Sequence, residues 1–313
     1  MTGRKAPEAD PAFDEILAHS RGKAVLADGA LEDVRRMVVE RAKSRPGPPV
    51  ARVDDVAIPG PAGAIPLRLY VPEGARGLAL AFHGGGWMMG SLDSFDPLCR
   101  NLAVHSGAAI ASVDYRLAPE HPFPAAVEDA CAASAHLGRH AASLHLPEGP
   151  LVLFGESAGA NLAAVAAIAA RDAGAPKVLR QILAYPAVDA RGQAESLELF
   201  AEGYLQTRRD VEFALRTYAL GHGVPADDWR LSPIMAESLA GVAPAFILSA
   251  ECDAIRDDSA AYADRLRREG VPVVHVRYAA MIHTFVQMRN VVDAAVIAQR
   301  QLADEIRRAF EAA

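Results

Sequence analysis

Short apolar runs of strand length recur along this chain with longer helix-forming segments between them, and this alternation limits the folds open to it more than any other feature. The runs are Leu78–Phe82, Ala108–Val113, Leu151–Phe154, Gln181–Tyr185, Ala245–Ala250 and Val273–Tyr278. Between them, helices are expected near Ala125–Arg139, Ala158–Ala173, Asp258–Glu269 and Val291–Ala309. A strand that is apolar at every position has no face suited to water, so it must be covered on both sides. The expected architecture is therefore α/β: a mostly parallel central sheet flanked by helices, with functional loops at the carboxyl ends of its strands.

Two stretches stand outside the alternation. Residues 1–45 read as helices around Ala12–His19 and Leu31–Ala42, closed by the turn-rich Arg45-Pro46-Gly47-Pro48-Pro49, and they have no core of their own. Residues 190–225 read as helices over Glu198–Tyr204 and Arg209–Leu220 before the Trp229–Pro233 loop, an excursion too long for an ordinary connection. Both are expected to cap a catalytic domain spanning residues 46–313. That domain should open with a hairpin, Val53–Ile58 and Ile65–Val71 around Pro59-Gly60-Pro61-Ala62-Gly63.

Composition removes several function classes. The net charge is -7, and the 28 Arg and 4 Lys are scattered without a basic cluster, which argues against nucleic acid or an anionic membrane as partner. Cys99, Cys131 and Cys252 are odd in number and far apart, with no C-x-x-C pair, so they read as reduced thiols. No His, Cys, Asp and Glu cluster has metal-ligand spacing, and neither a metal nor another cofactor is expected. The first twenty residues carry acids and two prolines rather than an apolar signal core, and no later stretch approaches a membrane span. A cytoplasmic protein is the expectation, with a homodimer left open as its one macromolecular assembly.

The chemistry is concentrated around Ser157. In Leu151-Val152-Leu153-Phe154-Gly155-Glu156-Ser157-Ala158-Gly159 a strand runs straight into an alanine-rich helix, and glycines flank the serine at both second neighbours. Side-chain-free flanks permit the sharp, strained turn that pushes a hydroxyl outward, the G-x-S-x-G nucleophile elbow in its required context. A nucleophilic serine needs a base, an acid to orient the base, and donors for the developing oxyanion. His83-Gly84-Gly85-Gly86-Trp87 follows the Leu78 strand and leaves main-chain N–H groups open to a substrate oxygen. His283 lies just beyond the Val273 strand. Among acids between Ser157 and His283, Asp253 is the best placed at a strand end, with Glu251, Asp257 and Asp258 as rivals.

Taken together, HGGGW at 83–87, DYRLAPEHPFPAAVED at 114–129, GESAGANLA at 155–163, the Asp253 loop and MIH at 281–283 make the chain resemble the hormone-sensitive-lipase family of α/β-hydrolases, including its bacterial carboxylesterases, over roughly residues 50–310. The resemblance implies Ser157 as nucleophile, His283 as base and Asp253 as orienting acid. It implies oxyanion donors at the amides of Gly85 and Gly86, Gly84 and Ala158, with His83 holding its loop rather than acting as base. Asp114, Arg116 and Glu120 read as polar anchors behind the site. The chain departs from the family in having Glu156 before the serine, Ala160 after the elbow, and Ala280 and Thr284 where glycines often flank the MIH segment. These departures bear on loop shape and pocket, not on reaction class.

The expected activity is cofactor-free hydrolysis of short- to medium-chain carboxylic esters through an acyl-enzyme. The same machinery can cleave an amide, a formamide or a lactone, and arylformamidase, amidase and lactonase are the alternatives. A small-molecule receptor on this fold would lack the base, whereas this chain has His283.

Overall fold

The computed structural model describes residues 6–313. In chain order the helices are α1 (Asp14–Ser20), α2 (Val25–Asp28), α3 (Leu31–Lys43), α4 (Leu92–Ser106), α5 (Ala125–His140), α6 (Ala158–Ala173), α7 (Glu195–Leu199), α8 (Arg208–Tyr218), α9 (Arg256–Arg268) and α10 (Asp293–Glu311). The strands are β1 (Arg52–Gly60), β2 (Gly63–Val71), β3 (Leu78–Phe82), β4 (Ala109–Val113), β5 (Leu151–Glu156), β6 (Val178–Ala184), β7 (Ala245–Cys252) and β8 (Val273–Ile282). They form one eight-stranded sheet in the order β1-β2-β4-β3-β5-β6-β7-β8. The β1–β2 hairpin and the β2–β4 pair are antiparallel, and every other pair is parallel.

The central strands are apolar throughout because both of their faces are buried. In β3, Leu78, Leu80 and Phe82 enter the core beneath α5, α6 and α9, while Ala79 and Ala81 face the core beneath α4 and α10. The side-chain alternation of a strand thus feeds two cores from one sequence run.

The structure adds two helices to those expected and displaces one. Helix α4 was not legible because Pro97 lies inside it; the helix survives because its N-cap Ser91 and Ser94 form a reciprocal capping box. The short α2 was missed as well. The helix expected over Glu198–Tyr204 instead spans Glu195–Leu199, since Asp257 accepts the Ser196 N–H, Ser196 Oγ donates to Ala254 O, and the chain turns left-handed at Gly203 and Leu205.

The N-terminal segment is fastened to the rest at defined points. Phe13, Leu26 and Val34 are buried. Arg35 of α3 donates to Met88 O and Ala118 O and forms a two-pronged pair with Glu120. The buried carboxylate of Asp210 accepts the N–H groups of Leu26 and Ala27 at 2.7 and 3.1 Å and both the N–H and the hydroxyl of Thr207. It therefore joins α2 to the start of α8. The anchors read from the 114–129 stretch are present too: Arg116 grips the buried Asp129, Glu120 holds Arg35, and burial raises the Asp114 carboxyl above the ordinary carboxylate range. All three cysteines are free thiols, and among the described residues no helix is long and apolar enough to cross a membrane.

Candidate active site

Ser157 sits at the junction of β5 and α6 with φ 55° and ψ -119°, a conformation that costs a residue bearing a Cβ roughly 1–3 kcal/mol and persists only where surroundings impose it. They do so by close approach. A Cβ on Gly159 would collide with the carbonyl oxygen of Phe82, and one on Gly155 would collide with the Gly159 carbonyl. The Ser157 N–H is held by Ala184 O of β6 at 2.9 Å, and Ser157 O accepts from Ala160 and Asn161 as α6 begins.

His283 follows the last residue of β8, and its Nε2 lies 2.9 Å from Ser157 Oγ. Its Nδ1 lies 2.6 Å from Asp253 Oδ2, just past the end of β7. The second Asp253 oxygen accepts the Ile255 N–H at 2.9 Å, which fixes the plane of the carboxylate. An ionised carboxylate only accepts, so the proton of this pair sits on Nδ1 and the Nε2 lone pair faces the serine hydroxyl. All three side chains are buried. The rival acids are engaged elsewhere: Glu251 accepts the Ala280 N–H, Asp257 holds Ser196 and Arg256, and Asp258 accepts the N–H groups of Val188 and Asp189.

The glycine loop follows β3, whose neighbour in the sheet is β5, so it lies beside the serine. Gly84, Gly85, Gly86, Ser157, Ala158 and His283 line one cavity of about 270 Å³. Among the described residues no protein acceptor takes the N–H of Gly85, Gly86 or Ala158. His83 is turned away from the serine: its Nδ1 meets Gly84 O at 2.9 Å, its ring stacks on Tyr115 at 4.3 Å, and Tyr115 donates to its carbonyl. Burial lowers its pKa to about 4, so it is a neutral strut for the loop.

Two features of the site have no role in the sequence reading. Tyr185, which follows β6 and reads like a core residue, lies with its ring centroid 4.9 Å from that of His283 and donates to Glu156 at 2.6 Å. Glu156, noted as a departure, is fully enclosed beside Ser157 and also accepts from Gln287; burial pushes its carboxyl upward. The arginines scattered in sequence also converge: Arg41, Arg45 and Arg289 line the same cavity as Ser157.

This sheet, elbow and hydrogen-bonded Ser-His-Asp arrangement define a class, and comparison agrees: residues 79–287 match the alpha/beta hydrolase fold, and the chain belongs to that family. It is 43% identical to the carboxylic ester hydrolase LipN of Mycobacterium tuberculosis over 296 residues, covering 89% of this chain and 77% of LipN. It is 37% identical to an ethyl acetate hydrolase of Pseudomonas putida, covering 74% of each. Among solved structures, the Pyrobaculum calidifontis esterase superposes with a TM-score of 0.88 at 35% identity, over 96% of this chain and 98% of that one. Within the family, the chain stands with the bacterial carboxylesterases of the hormone-sensitive-lipase type, as its motifs imply.

The departures around His283 have a structural counterpart. Ala280 and Thr284 both adopt left-handed backbone, with φ of 58° and 62°, where a glycine would carry no Cβ penalty. Ala280→Gly is expected to raise stability by about 1 kcal/mol, the relief of one left-handed Cβ outweighing the added freedom of the unfolded chain. Urea denaturation of the two proteins measures it, and an unchanged or lower midpoint contradicts it.

Proposed function

We propose that this carboxylic ester hydrolase works through Ser157 as nucleophile, His283 as general base and acid, and Asp253 as the group orienting His283. The observation that carries the reading is the continuous hydrogen-bonded line from Asp253 through His283 to Ser157 at the floor of the cavity. As Ser157 Oγ bonds to the ester carbonyl carbon, its proton passes to His283 Nε2 and the carbonyl oxygen becomes an oxyanion. The amides of Gly85, Gly86 and Ala158, with Gly84 beside them, are the donors for that charge, a contribution worth on the order of 10²–10³ in kcat per donor. Collapse breaks the bond to the alcohol oxygen, which takes the proton from His283. Water then repeats the sequence on the acyl-enzyme, and the acid is released.

Ser157→Ala is expected to lower kcat by about 10⁶ with folding intact. Asp253→Asn should cost roughly 10⁴ by favouring the wrong imidazole tautomer, and Asp257→Asn less than about tenfold because Asp257 serves Ser196 and Arg256. Hydrolysis of p-nitrophenyl butyrate measures all three. A tenth of the activity retained without Ser157, or a reversed order of the two acids, contradicts the assignment.

The reading extends to the cover. Val25, Leu26, Val34 and Met37 reach the cavity from the N-terminal segment, and Leu205, Val211, Ala214 and Leu215 reach it from the 190–225 excursion, so both act as a cap that sets chain-length preference. Each methylene buried in an apolar pocket contributes roughly 0.8 kcal/mol until the pocket is full. The kcat/KM of p-nitrophenyl esters should peak at about four to eight acyl carbons, and emulsified long-chain triglycerides should be poor substrates. Removing residues 1–40 should flatten that profile and lower the thermal midpoint; undiminished discrimination after removal places selectivity elsewhere.

The reading also includes a homodimer built on the open edge of β8, where Val274 is 52% exposed and Ile297 of the adjacent α10 is 60% exposed. Sedimentation at micromolar concentration tests it, and Val274→Lys should dissociate the dimer; a monomer at all concentrations rules it out.

A further inference from the structure

The acids and the arginines around the catalytic cavity are treated differently by the fold. Four carboxylates line it, and each is already engaged. Glu156 accepts from Tyr185 and Gln287, Asp189 pairs with Arg191, Asp210 holds Leu26, Ala27 and Thr207, and Asp258 accepts two backbone N–H groups. Three arginines line the same cavity, and among the described residues none of them has a carboxylate within ion-pair distance. This is not for want of acids, since the chain has 39 Asp and Glu against 32 Lys and Arg. On α3 itself, Arg35 pairs with Glu120 and Glu32, and Arg36 pairs with Asp33, whereas Arg41 faces the cavity unpaired.

All three cations line the cavity, and two of them are neighbours. Arg41, an exposed residue in the last turn of α3, has its pKa lowered by desolvation of its guanidinium and then by Arg45, which lies just after the helix. Arg45 Nη1 is shut off from solvent without a hydrogen-bond partner. The third, Arg289, donates to the neutral Asn101 Oδ1 of α4 at 3.2 Å, its one side-chain partner among the described residues. Pro97 and Leu98 of the same helix line the cavity together with the apolar Met37, Val38 and Met288. A guanidinium remains charged at physiological pH, and its fork of donors matches a carboxylate two bonds at a time. An unpaired buried donor costs free energy that an arriving oxyanion would restore.

Building on the reading of the site as an esterase, we propose that its preferred substrates are esters bearing a carboxylate on the half that extends toward Arg41, Arg45 and Arg289. An apolar spacer lies along Met37, Val38, Leu98 and Met288, and the charged tip meets the arginines. Arg41 and Arg45 also line the adjoining surface groove, where Lys23 stands with Glu15, Asp28 and Asp33.

Matched pairs test this: mono-p-nitrophenyl suberate against p-nitrophenyl octanoate for a charge on the acyl side, and 4-butyryloxybenzoate against its methyl ester for a charge on the alcohol side. In at least one pair the charged member should have the higher kcat/KM by about tenfold or more at low salt, with the advantage shrinking as salt screens it. The charged-to-neutral ratio should fall about tenfold in Arg45→Gln and further in Arg41→Gln/Arg45→Gln/Arg289→Gln. Binding of the same four compounds to Ser157→Ala by calorimetry provides the ranking without turnover, so an inactive enzyme would remove the esterase reading while this ranking still decides the charge preference. No preference in either pair, or a preference that survives loss of the three arginines, overturns the proposal.

Discussion

The close approach of the first turn of α6 to the end of β3 is the contact on which the site depends. Gly159 lies against the carbonyls of Phe82 and His83, a proximity that no other residue type permits. It sets two things at once: the left-handed conformation of Ser157, which turns the hydroxyl away from the helix axis, and the position of the glycine loop beside that hydroxyl. Ser157 and the glycine loop are therefore fixed by packing of backbone on backbone, which is stiffer than any arrangement of side chains. Preorganisation of this kind is what makes dipoles effective against a charge that exists only transiently.

The supports behind that contact are polar and buried, and among the described residues His83 Nε2 is the one ring nitrogen of these supports left without a partner. His83 props the loop as a neutral ring stacked on Tyr115, Asp253 divides its oxygens between His283 and the Ile255 amide, and Asp258 holds the backbone at Val188 and Asp189. Buried hydrogen bonds of this sort narrow the geometries open to the loops that they hold. The acids rejected as partners of His283 are thus working parts of the frame.

Much of this was legible in the sequence. The apolar runs match β3 to β8, the β1–β2 hairpin is read from its turn residues instead, and the glycines around Ser157 marked the elbow because only a collision explains them. Asp253 stood out from Glu251 by its place just beyond the strand end. What stayed hidden depended on long-range packing. Helix α4 was masked by Pro97, the helix of the excursion began earlier because Asp257 anchors it from sixty-one residues away, and Tyr185 looked like core until its ring lay against His283. The gathering of Arg41, Arg45 and Arg289 was invisible for the same reason: Arg289 is remote from the others in sequence, and no count of arginines reveals which ones the fold brings together.

Asp210 has a consequence for how the cavity can open. Its one carboxylate, buried and holding four donors from α2 and from the start of α8, could be pulled from either side only by stripping bonds from a charge with no water at hand, a penalty of several kcal/mol. The two covering segments are therefore coupled as a single leaf.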